Sequence, residues 1–161
     1  MDESTLRAEI RARIDEGRGE SGDGAAWLPL LTLESGARYG VDADLHWIVA
    51  APDSAPTRLE PATLHLLHES LESKRDHFEA SLAEGARALG LPADDVVLAF
   101  PAVGLVRAVL AKRSSYMSRL ALAFLLPSEL RELRAEIVAV RDDTLMPKPL
   151  KDLAARLVVP T

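Results

Sequence analysis

The stretch PATLHLLHESLESKRDHFEASLAEGARAL, residues 61–89, carries the strongest helical pattern in the chain. Its apolar residues recur at spacings of three, four and seven, and they are Leu64, Leu67, Leu71, Phe78, Leu82 and Leu89. Residues at these spacings share one face of an α-helix. Pro61 suits the first turn, where its missing backbone N–H would have been unpaired anyway. We therefore predict one long helix over 61–89, with Lys74 as the charged residue that interrupts the apolar stripe.

A second stretch with helical spacing, residues 102–126, follows Pro101. Its apolar stripe consists of Val103, Val106, Leu110, Met117, Leu120 and Phe124, with Arg113 in the interrupted position. Residues 117–126 stay open between helix and strand, because Leu120, Leu122, Phe124 and Leu126 alternate with other residues as in a β-strand. Short connections favour antiparallel neighbours, so we expect the helices over 61–89 and 102–126 to pack as an antiparallel pair.

Two short apolar runs, residues 27–33 and 45–49, precede these helices and contain both tryptophans. Their composition and the turn residues around them predict a small β-hairpin. Because proline cannot donate to a ladder, Pro29 should lie in an edge strand, or the strand should begin after it. The expected fold class is therefore mainly α, a helical bundle with a small N-terminal hairpin, with α+β as the alternative.

Three of the seven aromatic residues, Trp27, Tyr39 and Trp47, fall in this hairpin region. A two-stranded hairpin is marginal by itself and must bury apolar surface against another element. We expect the three rings to anchor the hairpin to the helices. The alternative is an aromatic groove that holds a small molecule or a peptide.

The N-terminal residues predict a separate element. Leu6, Ile10 and Ile14 form a short helical stripe after Ser4, a candidate N-cap, and the glycine-rich sequence GRGESGDG follows at residues 17–24. We predict a helical arm and linker over 1–24 and a single globular α-rich domain over 25–161. A chain of 161 residues is long enough to bury a core of that kind.

Composition excludes several classes of protein. The chain has 19 basic and 25 acidic residues, a net charge of −6 and no cysteine. The acidic balance argues against a duplex nucleic-acid binder, and the lack of cysteine excludes disulfides and thiolate metal sites. We expect a cytoplasmic protein without a membrane span, because there is neither a signal-peptide pattern nor an apolar run of about 20 residues.

The clearest charge asymmetry is a window without any acidic residue, residues 96–128. The candidate contacts for an acidic protein partner or for a phosphate or carboxylate are Arg107, Lys112, Arg113, Ser114, Tyr116 and Arg119. The alternative is that these cations pair within the chain with the acidic residues of 61–89, as surface charges commonly do.

A weaker constellation consists of His65, His68, Glu69 and Glu72, which could hold a metal ion if the segment is an α-helix. The facing stretch 102–126 contains no His, Asp or Glu to complete such a site. No dinucleotide fingerprint, phosphate loop or catalytic triad is recognisable, so we predict no catalytic residue and no cofactor.

The leading functional hypothesis is a small, non-enzymatic cytoplasmic interaction or regulatory protein, adaptor-like, that binds another protein through a helical surface. The alternative is a metal- or anion-binding helical enzyme or sensor that uses the His/Glu face or the cluster at 113–119. A homodimer is also possible, because Lys74 and Arg113 interrupt heptad-like seams, and charged seam residues can specify a partner.

Overall fold

Five strands form one antiparallel, curled sheet in the computed structural model, which describes residues 2–22 and 25–159. They are β1 (Glu20–Ser21), β2 (Ala26–Thr32), β3 (Arg38–Asp42), β4 (Trp47–Ala50) and β5 (Thr57–Arg58). Each strand pairs with the next one along the chain, so the sheet is a meander.

The predicted hairpin between residues 27–33 and 45–49 is wrong, because β3 lies between β2 and β4. The sequence of β3, RYGVD, is short and is interrupted by Gly40, so it resembles a loop. Only glycine fits at this position: a Cβ on residue 40 would lie 2.1 Å from the backbone oxygen of Leu28.

Pro29 lies inside β2, which begins at Ala26 rather than after the proline. The ladder is nevertheless interrupted around it. On one side β1 pairs only with Ala26 and Trp27, and on the other the register with β3 shifts between Pro29 and Leu31. The expectation of an edge position is therefore wrong for the strand as a whole, although β1 does not extend as far as the proline.

Three helices complete the first compact unit, which comprises Met1–Glu60 and Asp76–Phe100. They are α1 (Glu3–Arg13), α2 (Arg75–Ala88, whose first residue belongs to the second unit) and α3 (Ala93–Ala99). The ring of Tyr39 lies 6.3 Å from that of Phe78 on α2, and the ring of Trp47 lies 5.1 Å from that of Phe100. The side chains of Trp27, Tyr39 and Trp47 are almost fully buried. The predicted anchoring of the β element to the helices is confirmed for Tyr39 and Trp47, whereas Trp27 packs with Ile48 and Ala50 of the sheet.

The N-terminal helix is present, but its N-cap is Asp2, whose Oδ1 accepts the backbone N–H of Thr5 at 2.8 Å. It continues into a π-type turn, Ile14–Arg18, in which Gly17 has a φ of 84°. The predicted linker, 17–24, lies partly outside the described residues, since these exclude 23 and 24. The last two positions of the predicted 25–161 domain are also outside them.

The second compact unit comprises Pro61–Arg75 and Pro101–Thr161 and is built from helical elements. These are a run of 3₁₀ turns (Pro61–Glu72), α4 (Ala102–Ala111), α5 (Ser115–Phe124), a 3₁₀ turn (Pro127–Glu129), α6 (Arg134–Asp142) and α7 (Lys148–Leu157). No helix within residues 2–22 and 25–159 has the length and apolar character needed to cross a membrane.

The prediction of a bundle built on two long helices is wrong. Residues 61–89 divide into the 3₁₀ segment and α2, with the break at Ser73 and Lys74. Residues 102–126 divide into α4 and α5, and Arg113 in the connection has a φ of 58°. Both breaks leave the interrupting cation exposed rather than in a core seam. Residues 117–126 are helical up to Phe124.

Candidate functional site

Two of the predicted cations pair with acidic residues at the C-terminal side of the window. Arg107 Nε donates to Glu136 Oε1 at 2.9 Å. Arg113 forms a two-pronged contact with Asp143, with its Nη2 at 2.9 and 2.8 Å from the two carboxylate oxygens. The alternative prediction, that these cations pair with the acidic residues of 61–89, is wrong for Arg107 and Arg113, because both of their partners lie outside that range.

The pKa of Asp143 lies below its ordinary value. The backbone N–H of Leu145, which donates to Oδ1 at 2.9 Å, is the largest cause, and the hydrogen bonds and charge of Arg113 act in the same direction. Both interactions stabilise the carboxylate form. Asp143 therefore pairs with Arg113 at the C-terminal end of α6, and Arg113 is not a free receptor for an anion.

The other members of the predicted anion cluster are also engaged within the chain. Ser114 Oγ caps α5 by accepting the backbone N–H of Met117 at 3.3 Å. Tyr116 donates its hydroxyl to Glu72 Oε1 at 3.2 Å, and the guanidinium of Arg119 lies 5.9 Å from its ring centroid. These residues do not converge on one empty position, so the structure lends no support to a phosphate site here.

Lys112 differs from its neighbours. Its side chain is exposed, and it forms no ion pair with any described residue. It lines a groove of about 360 Å³ between α4 and the 3₁₀ segment, which we call the α4 groove. The groove is lined by Pro61, Ala62, Leu64, Gly104, Arg107, Ala108, Ala111 and Lys112. This lining is apolar apart from two cations, and it contains no carboxylate.

A second groove, of about 280 Å³, lies on the other side of α4, against α6. Leu110, Val140 and Met146 form its apolar part, and the ion pairs of Arg107 and Arg113 with α6 lie along it. Because those pairs carry their own counter-charges, this groove presents a balanced surface. The α4 groove is the one that offers positive charge to a partner.

The predicted metal ligands are not assembled. His65, His68, Glu69 and Glu72 lie in the run of 3₁₀ turns, where about three residues make a turn, so residues four apart no longer share a face. Across residues 2–22 and 25–159, three candidate ligand atoms come within 4.8 Å of one another only at Asp42, Asp44 and His46. That group was missed in the sequence, although DADLH, with ligand types at alternate positions, is a visible signal.

The Asp42 group is occupied by interactions within the chain. Asp42 Oδ1 accepts the backbone N–H groups of Asp44 and His46, each at 2.9 Å. Arg58 Nη2 lies 2.9 Å from His46 Nε2, and Arg58 Nε lies 4.0 Å from Asp42 Oδ2. A guanidinium beside the carboxylate disfavours a divalent cation. We therefore assign no metal to this group.

No protein-family model, curated protein or solved structure matches the chain. The interpretation of the site consequently rests on its own geometry and chemistry.

Proposed function

We propose that the protein binds a second protein by docking an acidic, amphipathic helical segment of that partner into the α4 groove. The proposal keeps the cytoplasmic, non-enzymatic and adaptor-like role expected from the sequence. The observation that carries it is the charge of the groove lining: Lys112 has no counter-ion among the described residues, Arg107 is paired with Glu136 outside the lining, and the rest of the lining is apolar without any carboxylate.

Charge decides which partner the groove favours. A basic segment would meet Lys112, which lacks a counter-ion among the described residues, and like charges at a contact cost several kcal/mol. An acidic segment would instead form a favourable contact with Lys112. Acidic side chains flanking the apolar ones are therefore the chemistry that complements this surface.

The apolar floor sets the shape of the partner. Ala108 and Ala111 on α4 are small, so an incoming side chain can approach the helix backbone. A groove of about 360 Å³ accommodates a few side chains rather than a whole domain. An amphipathic helix places such side chains at spacings of three and four, which is the usual form of binding in a groove.

The test uses the full chain and two fluorescein-labelled helical peptides of about 20 residues, long enough to form a helix. Both carry leucines at helical spacing, and their polar faces consist of Glu in one and Lys in the other. We expect the acidic peptide alone to raise fluorescence anisotropy, and Lys112→Glu to weaken its binding about tenfold, or about 1.4 kcal/mol. Binding should also weaken with salt, because the charges are exposed.

The matched control is Lys148→Glu, which makes the same charge change at an exposed position on α7 outside the groove. Ala108→Trp, which fills the floor without changing charge, should also prevent binding while circular dichroism shows a folded chain. Equal binding of the two peptides, or equal weakening by both lysine variants, would contradict the proposal. A dimer in light scattering that Lys112→Glu dissociates would replace the foreign partner with a second copy.

A further inference from the structure

Leu145 is a large apolar residue that the second unit leaves exposed to water. It lies in the connection between α6 and α7, and 78% of its surface is exposed, whereas the next residue, Met146, is buried. A single exposed leucine is ordinary on a protein surface, so its meaning depends on what surrounds it.

The turn that carries Leu145 is held by hydrogen bonds. Asp143 Oδ1 accepts the backbone N–H of Leu145 at 2.9 Å, and the backbone oxygen of Asp143 accepts that of Met146 at 3.2 Å. The carboxylate of Asp143 is held in addition by Arg113. Leu145 therefore projects from an ordered turn, and a partner that covers it loses little free energy in ordering the backbone.

A depression lies beside this projection. It is the groove of about 280 Å³ between α4 and α6, which we call the α6 groove. Asp143 and Met146, the lining residues nearest to Leu145 in the chain, place the projection at its edge. Ala111 on α4 and Ala139 on α6 are exposed in the groove, and both are small, so they leave room for a larger side chain. The projection and the depression belong to one surface.

The charges of the α6 groove favour a second copy of the same chain as the partner. Two cations and two carboxylates line it, namely Arg107, Arg113, Glu136 and Asp143. A patch of a single sign would repel its own copy across a two-fold axis, whereas a patch with balanced charges does not. The α4 groove is less suited to self-association, because Lys112 has no counter-ion there among the described residues.

A two-fold axis turns the projection and the depression into two equivalent contacts. In an isologous dimer the same patch serves both copies, so that residue i contacts residue j and j contacts i. An axis that passes between Leu145 and the α6 groove brings the Leu145 of each copy over the groove of the other, near Ala139. Because both features of each copy are then used, the assembly closes at two chains.

We propose that the protein forms a two-fold symmetric homodimer in which Leu145 of each copy inserts into the α6 groove of the other. This surface differs from the helical seams that suggested a homodimer in the sequence. Lys112 does not line the α6 groove, so the dimer can be tested separately from partner binding in the α4 groove. A contact centred on one side chain and one groove is smaller than an obligate interface, and we expect a Kd of about 1–100 μM.

Sedimentation equilibrium of the full chain over about 1–200 μM tests the association. We expect the average mass to rise from that of one chain to that of two. Leu145→Asp should weaken the dimer at least about a hundredfold, or by about 2.8 kcal/mol, because each dimer loses two contacts. The matched control is Leu98→Asp, the same change at a leucine on α3 that is 82% exposed and does not line the groove.

A second variant changes the groove instead of the projection. Ala139→Trp fills the depression without altering charge, and it should weaken the dimer as Leu145→Asp does. Both positions are exposed in the single chain, so circular dichroism should show that both variants are folded. Lys112→Glu should leave the dimer intact.

Introduced cysteines report the contact directly, because the natural chain has none. Chains with Leu145→Cys are mixed with tagged chains with Ala139→Cys and are then oxidised. Each chain carries one thiol, so a disulfide between residues 145 and 139 forms only between two copies. We expect this mixed product to exceed the product of Leu145→Cys chains mixed with Leu98→Cys chains.

Four results would overturn the proposal. The first is a chain that remains monomeric at about 200 μM. The second is a dimer that both Leu145→Asp and Ala139→Trp leave intact, or that Lys112→Glu dissociates. The third is a mass that continues to rise beyond two chains, which would indicate a head-to-tail contact. The fourth is a yield of the mixed disulfide no higher than that of the Leu98→Cys mixture.

Discussion

Gly85 shows how a single missing Cβ determines the packing in the sheet unit. A Cβ at this position in α2 would lie 1.7 Å from the backbone oxygen of Leu30 and 2.8 Å from its carbonyl carbon. Backbone atoms cannot move aside as a flexible side chain can. The absence of a side chain at residue 85 is therefore what allows α2 to contact β2 directly.

Replacing this glycine tests the close approach. In an exposed helix interior, Gly→Ala stabilises by about 1 kcal/mol through helix propensity. Here the clash reverses the sign, and we expect Gly85→Ala to destabilise the chain by about 3 kcal/mol, the upper end of overpacking costs. Urea unfolding followed by circular dichroism measures the change, and Glu84→Ala on the exposed neighbouring position is the control. Equal stability of the two variants would show that α2 lies farther from β2.

At the scale of elements, the positions of Lys74 and Arg113 explain why two helices were predicted where four segments exist. Each interrupts an apolar stripe in the sequence, and each lies exposed at a break in the structure. A charged residue in a stripe is compatible with a continuous helix or with a break. Periodicity alone does not distinguish them, because the apolar residues on both sides keep their helical spacing.

Other elements were predictable because their signals are local. Prolines stand at the start of α7, and Gly17 stands in the π-type turn that follows α1; both kinds of residue act within one turn. The order of the sheet was not, because β3 is defined by its neighbours: Tyr39 and Val41 become strand residues by pairing with β2 and β4. The candidate site was likewise predictable only in part. The acid-free window was visible in the sequence, whereas the pairing of Arg107 with Glu136 depends on tertiary packing.

The connection between α4 and α5 allows a test of whether the helical run over 102–126 is interrupted at Arg113. Arg113 has a φ of 58°, a left-handed conformation that costs a residue with a side chain about 1–2 kcal/mol and glycine almost nothing. Arg113→Ala and Arg113→Gly lose the same exposed ion pair with Asp143. We expect the glycine variant to be more stable than the alanine variant by about 1 kcal/mol in thermal or urea unfolding.

The adjacent residue, Lys112, provides the internal control for the two Arg113 variants. Lys112 has a right-handed helical φ of −77° and ψ of −14°. At this position the order should reverse, with alanine more stable than glycine by about 0.5–1 kcal/mol. Finding alanine favoured at both positions would mean that the two helices continue without the left-handed turn.

At the scale of the whole molecule, acid should destabilise the chain. Burial raises the pKa of Glu129, but two hydrogen bonds from Arg75, one from the backbone N–H of Leu126 and the charge of Arg75 outweigh it, so the pKa lies below its usual value. The pKa of Asp143 and that of Asp142, which accepts from Arg141, are lowered as well. A carboxyl whose pKa is lower in the folded chain contributes its full stabilisation above the unfolded pKa, and loses it as pH falls through the folded pKa.

Glu129→Gln should reveal this contribution. At neutral pH we expect the variant to be less stable than the natural chain by about 2 kcal/mol, because the bonds from Arg75 lose their charged acceptor. The difference should start to shrink as pH falls below the ordinary glutamate pKa of about 4.3, where the unfolded natural chain binds a proton, and should be lost once Glu129 is also protonated in the folded chain. Urea unfolding across this pH range measures it. Glu132→Gln, at an exposed position without a hydrogen bond or ion pair to any described residue, should track the natural chain throughout. A stability difference for Glu129→Gln that stays constant into acid would mean that Arg75 is held by packing rather than by the carboxylate charge.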